Sequence, residues 1–96
     1  MNEIQKYISK NESKMLEDLF SLIRIPSISA KPEHHDDMLA CAERWAQLLI
    51  EAGADEALVM PSKGNPIVFG QKTVDPTAKT VLIYAHYDVM PAEPLE

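Results

Sequence analysis

The sequence has few of the features that mark secreted or membrane proteins. It contains one cysteine in 96 residues, so no disulfide can form within the chain, and a reducing cytoplasm is the simplest setting. It has no uninterrupted run of the roughly 18 apolar residues that a transmembrane helix needs. Its first residues lack the basic stretch and apolar run of a signal peptide. We therefore expect a cytoplasmic protein with no membrane partner.

Basic residues are also scarce relative to acidic ones. Nine Lys and Arg stand against 15 Asp and Glu, which gives a formal net charge of −6. A surface of this sign repels the phosphate backbone of nucleic acids and anionic lipids, so no nucleic-acid partner is expected. The rest of the composition, 46% hydrophobic and 25% charged, is ordinary for a globular domain, and the length allows one small domain.

The first 24 residues have the periodicity of helices. Apolar residues recur at spacings of three and four, and Asn11, in the middle of the region, is a suitable N-cap. We therefore predict a short helix near residues 2–9 and a longer one near 12–24. Pro26 ends the second helix, because the residue before a proline is disfavoured in the α region.

A second helical region covers residues 35–52 and carries a broad apolar stripe. Gly53 follows it as the expected left-handed stop. Cys41 and Trp45 fall on the stripe, which predicts a buried, inert thiol and an indole in the core. The HHDD run at residues 34–37 suggests a metal site or a pH sensor, but adjacent residues seldom converge on one ion, so a solvated helix start is favoured.

Three short segments have the composition of strands. Residues 56–60 and 66–71 flank turn-forming residues and are predicted to pair antiparallel. Residues 80–86 are predicted to form a strand that is buried on both faces, because five consecutive residues are apolar or aromatic. The fold class is therefore α/β, with N-terminal helices and three strands that begin a mixed central sheet.

The connection between the helices, residues 25–32, alternates apolar and hydroxyl side chains. A loop serine can act as a nucleophile, but neither Ser27 nor Ser29 has a nearby base or an elbow glycine. We expect both hydroxyls to bond local backbone groups.

His86 and Asp88 lie at the carboxyl end of the third predicted strand, where α/β sheets collect ligands and catalytic groups. Side chains alternate along an extended chain, so both point the same way. Imidazole is a common zinc ligand, and a carboxylate can hold its other nitrogen. Zinc needs three or four ligands, so His86 cannot hold it alone, and a structural pair is the alternative interpretation.

Several segments together resemble one family of enzymes. Residues 81–96 (VLIYAHYDVMPAEPLE) are similar to the first metal motif of the M20 metallopeptidases. Three other segments support the match: residues 22–29 (LIRIPSIS), the predicted helix that contains Trp45 and ends at Ala52 and Gly53, and residues 64–68 (GNPIV). The family contains dinuclear zinc dipeptidases, carboxypeptidases and N-acyl amino acid deacylases, and the tail of this chain most resembles the dipeptidase branch.

The resemblance implies that His86 is a zinc ligand and that Asp88 is the catalytic aspartate that orients or polarises an imidazole on the metal. It implies two zinc ions per active site in a longer parent protein, with manganese or cobalt as alternatives, and a small peptide substrate. It leaves a homodimeric parent open.

The resemblance also implies that residues 1–96 form only the N-terminal part of the catalytic domain. The other ligands, the general base and the lid and dimerisation domain have no counterpart in them. The parent is then expected to cleave dipeptides or short peptides through a metal-activated water, and this fragment alone to be inactive. The alternatives are an N-acyl amino acid deacylase and a non-catalytic module that binds a partner.

Overall fold

The computed structural model describes residues 2–91. Within that part of the chain, the architecture is α/β, as predicted, with two long helices and one two-stranded sheet. The elements in order are α1 (Glu3–Ile23), a 3-10 helix (Pro32–His34), α2 (His35–Glu51), β1 (Glu56–Met60) and β2 (Ile67–Gln71). None of the helices in residues 2–91 is long and apolar enough to cross a bilayer.

Helix α1 is continuous, where the sequence predicts two helices. It begins with a capping box: the Asn2 side chain accepts a 2.8 Å hydrogen bond from the Gln5 backbone N–H, and the Gln5 side chain accepts one of 3.1 Å from Asn2. Asn11 does not cap a new helix. Its side-chain amide donates a 2.9 Å hydrogen bond to the Tyr7 carbonyl oxygen one turn earlier. The predicted break was wrong, because an asparagine side chain that bonds the preceding turn lets the helix continue.

Helix α2 supplies the most deeply buried apolar side chains. It ends at Glu51, and Gly53 follows with a φ of 105°, so the predicted helix and its glycine stop are confirmed. Within residues 2–91 the buried hydrophobic side chains all lie on this helix: Met38, Cys41 and Ala42. Cys41 is therefore buried as predicted, whereas Trp45 is only half-buried.

The sheet packs against α2. Strands β1 and β2 pair antiparallel, with Glu56 opposite Gln71 and Met60 opposite Ile67, which confirms the prediction for these two segments. The second strand begins one residue later than predicted, after Pro66, which has no N–H to donate to the ladder. A side chain at Gly70 would bring its Cβ within 2.9 Å of Leu49 on α2, so the glycine allows this close approach.

Residues 80–86 do not form the predicted third strand. Their apolar side chains are exposed, from 82% at Val81 to 92% at Leu82. The pairing found nearby is a single parallel bridge between Ile28 and Val89. A strand buried on both faces needs a neighbouring strand for its backbone and a layer over each face, and the elements within residues 2–91 do not supply them. The predicted mixed sheet is correspondingly not formed by the described residues.

Candidate functional site

The loop after α1 lies beside the segment that carries His86 and Asp88. The Val89 N–H donates a 2.9 Å hydrogen bond to the Ser27 carbonyl oxygen, next to the parallel bridge between Ile28 and Val89. The buried Ser27 hydroxyl donates a 3.2 Å hydrogen bond to the Tyr87 carbonyl oxygen. These contacts fix the backbone on both sides of Asp88. The prediction of a local partner for Ser27 was wrong, since its partner lies 60 residues away.

Tyr87 connects the same segment to α2 and to the start of β2. Its hydroxyl donates a 2.5 Å hydrogen bond to the Pro66 carbonyl oxygen, and its own carbonyl oxygen accepts a 3.6 Å hydrogen bond from the Cys41 thiol. Burial, followed by the charges of Cys41 and Asp88, raises the pKa of the Tyr87 hydroxyl above its ordinary 10.0. Tyr87 therefore serves as a neutral donor that holds the segment in place.

The Cys41 thiol is a structural group in this arrangement. Burial raises its pKa above the ordinary 9.0, and a hydrogen bond with Ser27 lowers it by a smaller amount. A raised pKa keeps the thiol protonated near neutral pH, and the protonated thiol is a poor nucleophile and metal ligand. The structure thus confirms that Cys41 is buried, and the inertness of its thiol stays a prediction.

His86 and Asp88 lie on the same side of the chain, as the sequence predicts. The Nδ1 atom of His86 is 4.0 Å from Oδ1 of Asp88, and the two side chains are 77% and 39% exposed. The other carboxylate oxygen, Oδ2, accepts a 2.6 Å hydrogen bond from the Ser29 hydroxyl. The His86 ring also makes an edge contact with Tyr84, at 5.6 Å between centroids. The carboxylate thus has a fixed donor on one oxygen and an imidazole near the other.

These side chains border an open depression of about 230 Å³, whose lining consists of Ser29, Met38, Asn65, Pro66 and residues 85–88. Sequence reasoning missed Ser29 and Asn65 as site residues. The prediction that the Ser29 hydroxyl bonds a local backbone group was wrong, because its partner is the Asp88 carboxylate, 59 positions away. No local pattern identifies a partner at that distance.

The HHDD run does not form a metal site with other described residues. Nδ1 of His34 lies 2.8 Å from Oδ2 of Asp37, three residues along, at the start of α2. Among residues 2–91 no group of three His, Cys, Asp or Glu side chains is placed to hold a metal ion. His86 and Asp88 have the donor types that zinc accepts, but they supply fewer than the three or four ligands that it needs. The described residues therefore do not form a metal site by themselves.

Comparison with known proteins relates the chain to dipeptidases. No protein-family model and no solved structure matches it significantly. Cys-Gly metallodipeptidase dug1 of Schizosaccharomyces pombe is 29% identical over 105 residues, which cover 96% of this chain and 21% of that protein. Cysteinylglycine-S-conjugate dipeptidase of Corynebacterium striatum is 30% identical over 86 residues, which cover 90% of this chain and 19% of that protein. The chain is thus similar to proteins named as dipeptidases and spans about a fifth of their length.

Proposed function

We propose that this chain is the N-terminal part of the catalytic domain of a longer cytoplasmic protein, a metal-dependent dipeptidase of the M20 type. The observation that carries the proposal is the similarity to two proteins named as dipeptidases, over 96% and 90% of the chain. The resemblance of residues 81–96 to the M20 metal motif supports it. The protein that contains this chain is called the longer protein below.

In the proposed enzyme, His86 contributes one nitrogen ligand to the metal site. Its imidazole is mostly exposed and lines the depression, so it can bind an ion without disturbing the core. Oδ1 of Asp88 lies 4.0 Å from Nδ1 of this ring, and the carboxylate would orient and polarise it. Two bound divalent ions, zinc with manganese or cobalt as alternatives, would supply the Lewis acidity that activates water for attack on a peptide carbonyl.

Exposed apolar surface on the chain supports the view that the domain is incomplete. The side chains of residues 81–84 are exposed, and so are many apolar residues on one helix, α1: Ile4, Tyr7, Ile8, Met15, Leu16, Leu19, Phe20 and Ile23. A soluble monomer rarely leaves this many large apolar side chains exposed on one helix. In the proposal, the remaining ligands and the general base belong to parts of the longer protein that cover these surfaces, so residues 1–96 alone are inactive.

Two other functions fit part of the same observations. An N-acyl amino acid deacylase would use the same metal chemistry, and the resemblance to the M20 family includes such enzymes. A non-catalytic module would use the exposed run at residues 81–84 to bind a partner strand. The names of the relatives favour the dipeptidase over both.

The test is hydrolysis by the purified longer protein after its metal has been removed. Dipeptides, including Cys-Gly, and N-acetyl amino acids are supplied with and without added zinc, manganese or cobalt. We expect metal-dependent cleavage of dipeptides that His86→Ala abolishes and that His35→Ala, a matched change at an exposed histidine of α2, retains. Cleavage of N-acetyl amino acids alone would favour the deacylase, and a folded protein without hydrolysis would favour the module.

A further inference from the structure

We propose that Ser29 is a positioning residue that sets the orientation of the Asp88 carboxylate, and through it the His86 imidazole. The inference rests on the proposed function, because it assigns a role within the same site. It starts from the 2.6 Å hydrogen bond that the Ser29 hydroxyl donates to Oδ2 of Asp88.

The backbone brings these two residues together independently of their side chains. Ile28 and Val89 form the parallel bridge, and the Val89 N–H bonds the Ser27 carbonyl oxygen. Ser29 and Asp88 are the neighbours of the bridged pair. In this parallel register Ser29 follows Ile28 and Asp88 precedes Val89, so the two side chains lie diagonally across the bridge and on the same face. The bridge therefore brings the hydroxyl within reach of the carboxylate.

The two oxygens of Asp88 have different partners. Oδ2 accepts from Ser29, while Oδ1 lies 4.0 Å from Nδ1 of His86. The terminal torsion of an aspartate is broad, and this side chain is 39% exposed, so without a fixed donor it would rotate and bond water. A hydrogen bond to an ionised carboxylate is short and strong. The Ser29 bond thus holds Oδ1 on the side of the imidazole.

Ser27 provides a comparison within the same loop. It is also a serine and it also bonds the segment that carries the site, but its hydroxyl donates to the Tyr87 backbone carbonyl. It is fully buried, whereas Ser29 is half-buried on the edge of the depression. Removal of the Ser27 hydroxyl should reduce stability, whereas removal of the Ser29 hydroxyl should change the site.

The experiment compares Ser29→Ala, Ser29→Thr and Ser27→Ala in the longer protein, with Ser13→Ala on the exposed surface of α1 as the control for the same chemical change. Calorimetric titration of the metal-free protein measures its zinc affinity. Hydrolysis of a dipeptide gives kcat and KM, and the midpoint of thermal unfolding is measured separately. We expect Ser29→Ala to weaken zinc binding and lower kcat by roughly 10-fold, the lower end of the range for groups that support a ligand. KM should stay unchanged, and threonine should restore both losses.

Ser27→Ala is expected to lower the unfolding midpoint more than Ser29→Ala, because the Tyr87 carbonyl oxygen loses a buried donor. It should weaken zinc binding less than Ser29→Ala, because its hydroxyl does not contact the Asp88 carboxylate. If the wild-type protein is active and Ser29→Ala keeps its zinc affinity and kcat, the positioning role of Ser29 is overturned. The proposed function is unaffected by that result. Equal losses in both alanine variants, or failure of threonine to rescue, would overturn the positioning role as well. A wild-type protein that neither binds zinc nor cleaves dipeptides would overturn the proposed function and this inference together.

Discussion

The Cys41 thiol donates a hydrogen bond to the Tyr87 carbonyl oxygen at 3.6 Å, and thereby joins α2 to the segment that carries the candidate site. The Ser27 hydroxyl donates to the same carbonyl at 3.2 Å. Cys41 and Ser27 are both fully buried. The position of the candidate site therefore depends on the core of α2 and on the loop after α1.

The first prediction concerns the reactivity of Cys41. Because the thiol is buried and its pKa is raised by that burial, a thiol reagent should label it slowly in the native longer protein and much faster in denaturant. Mass spectrometry of the peptide that contains Cys41 measures the two rates separately from any other cysteine. Equally fast labelling in both conditions would place the thiol on the surface and contradict the packing of α2.

The second prediction is a loss of stability at alkaline pH that comes from Cys41. A raised pKa means that the folded protein keeps a proton that the unfolded chain releases above its ordinary value of 9.0. The contribution is therefore fully present below pH about 9 and declines as the pH rises through the folded pKa. Urea unfolding of the longer protein between about pH 8 and pH 11 should show a steeper decline than in Cys41→Ser, whose hydroxyl does not titrate in this range.

Parallel curves for the wild type and Cys41→Ser would show that burial does not perturb the thiol. Tyr87 contributes in the same direction above its ordinary value of 10.0. The comparison between the two proteins is therefore read from the lower part of the range, where the phenol is still protonated in both states.

The third prediction concerns the hydroxyl of Tyr87. Tyr87→Phe removes the 2.5 Å hydrogen bond to the Pro66 carbonyl and should lower the free energy of unfolding by about 0.5–1.5 kcal/mol. Tyr7→Phe is the control, since that ring is 62% exposed on α1. The urea midpoints of the two variants give the comparison, and an equal effect of both changes would mean that the Tyr87 hydroxyl does not hold the segment.

The fourth prediction tests the end of α2. Gly53 has a φ of 105°, and an added Cβ would meet no atom within 4 Å, so any cost of Gly53→Ala comes from the backbone alone. A left-handed conformation costs a residue with a side chain about 1–2 kcal/mol. Gly64→Ala is the matched control, because Gly64 has neither a positive φ nor a close neighbour. We expect chemical denaturation to show a loss for the first variant only.

The sequence predicts those parts of the fold whose causes are local. The apolar stripe and its glycine define α2, and two short runs around a turn define β1 and β2. The break in α1 was predicted wrongly because an asparagine can either cap a new helix or bond the preceding turn. Asn11 bonds the Tyr7 carbonyl, and residue type alone does not distinguish the two cases. The third strand was predicted from composition, whereas a strand also requires neighbours.

The candidate site was predictable only in part, for the same reason. The period of two along an extended chain places His86 and Asp88 on one side, and the structure has them 4.0 Å apart. Their roles in metal binding and catalysis stay predictions. Ser29 reaches Asp88 only because the loop after α1 pairs with residues 87–89, and no spacing within either segment records that pairing.

The measurement that tests the central claim most directly is the metal content of the longer protein in His86→Ala and Asp88→Asn. Elemental analysis of the purified variants, with kcat measured on the same samples, should separate a ligand from a residue that supports it. We expect His86→Ala to lower the number of zinc ions bound per chain, because one ion then lacks a ligand. Asp88→Asn should retain most of the zinc while kcat falls by about 10–100-fold.

Asparagine keeps the shape of Asp88 but loses its charge and exchanges one acceptor oxygen for an NH₂ donor. A loss of zinc in Asp88→Asn as large as in His86→Ala would show that Asp88 is itself a ligand. If both variants keep the metal content and the kcat of the wild type, the pair is structural, and the proposal that His86 and Asp88 belong to the metal site of a dipeptidase is contradicted.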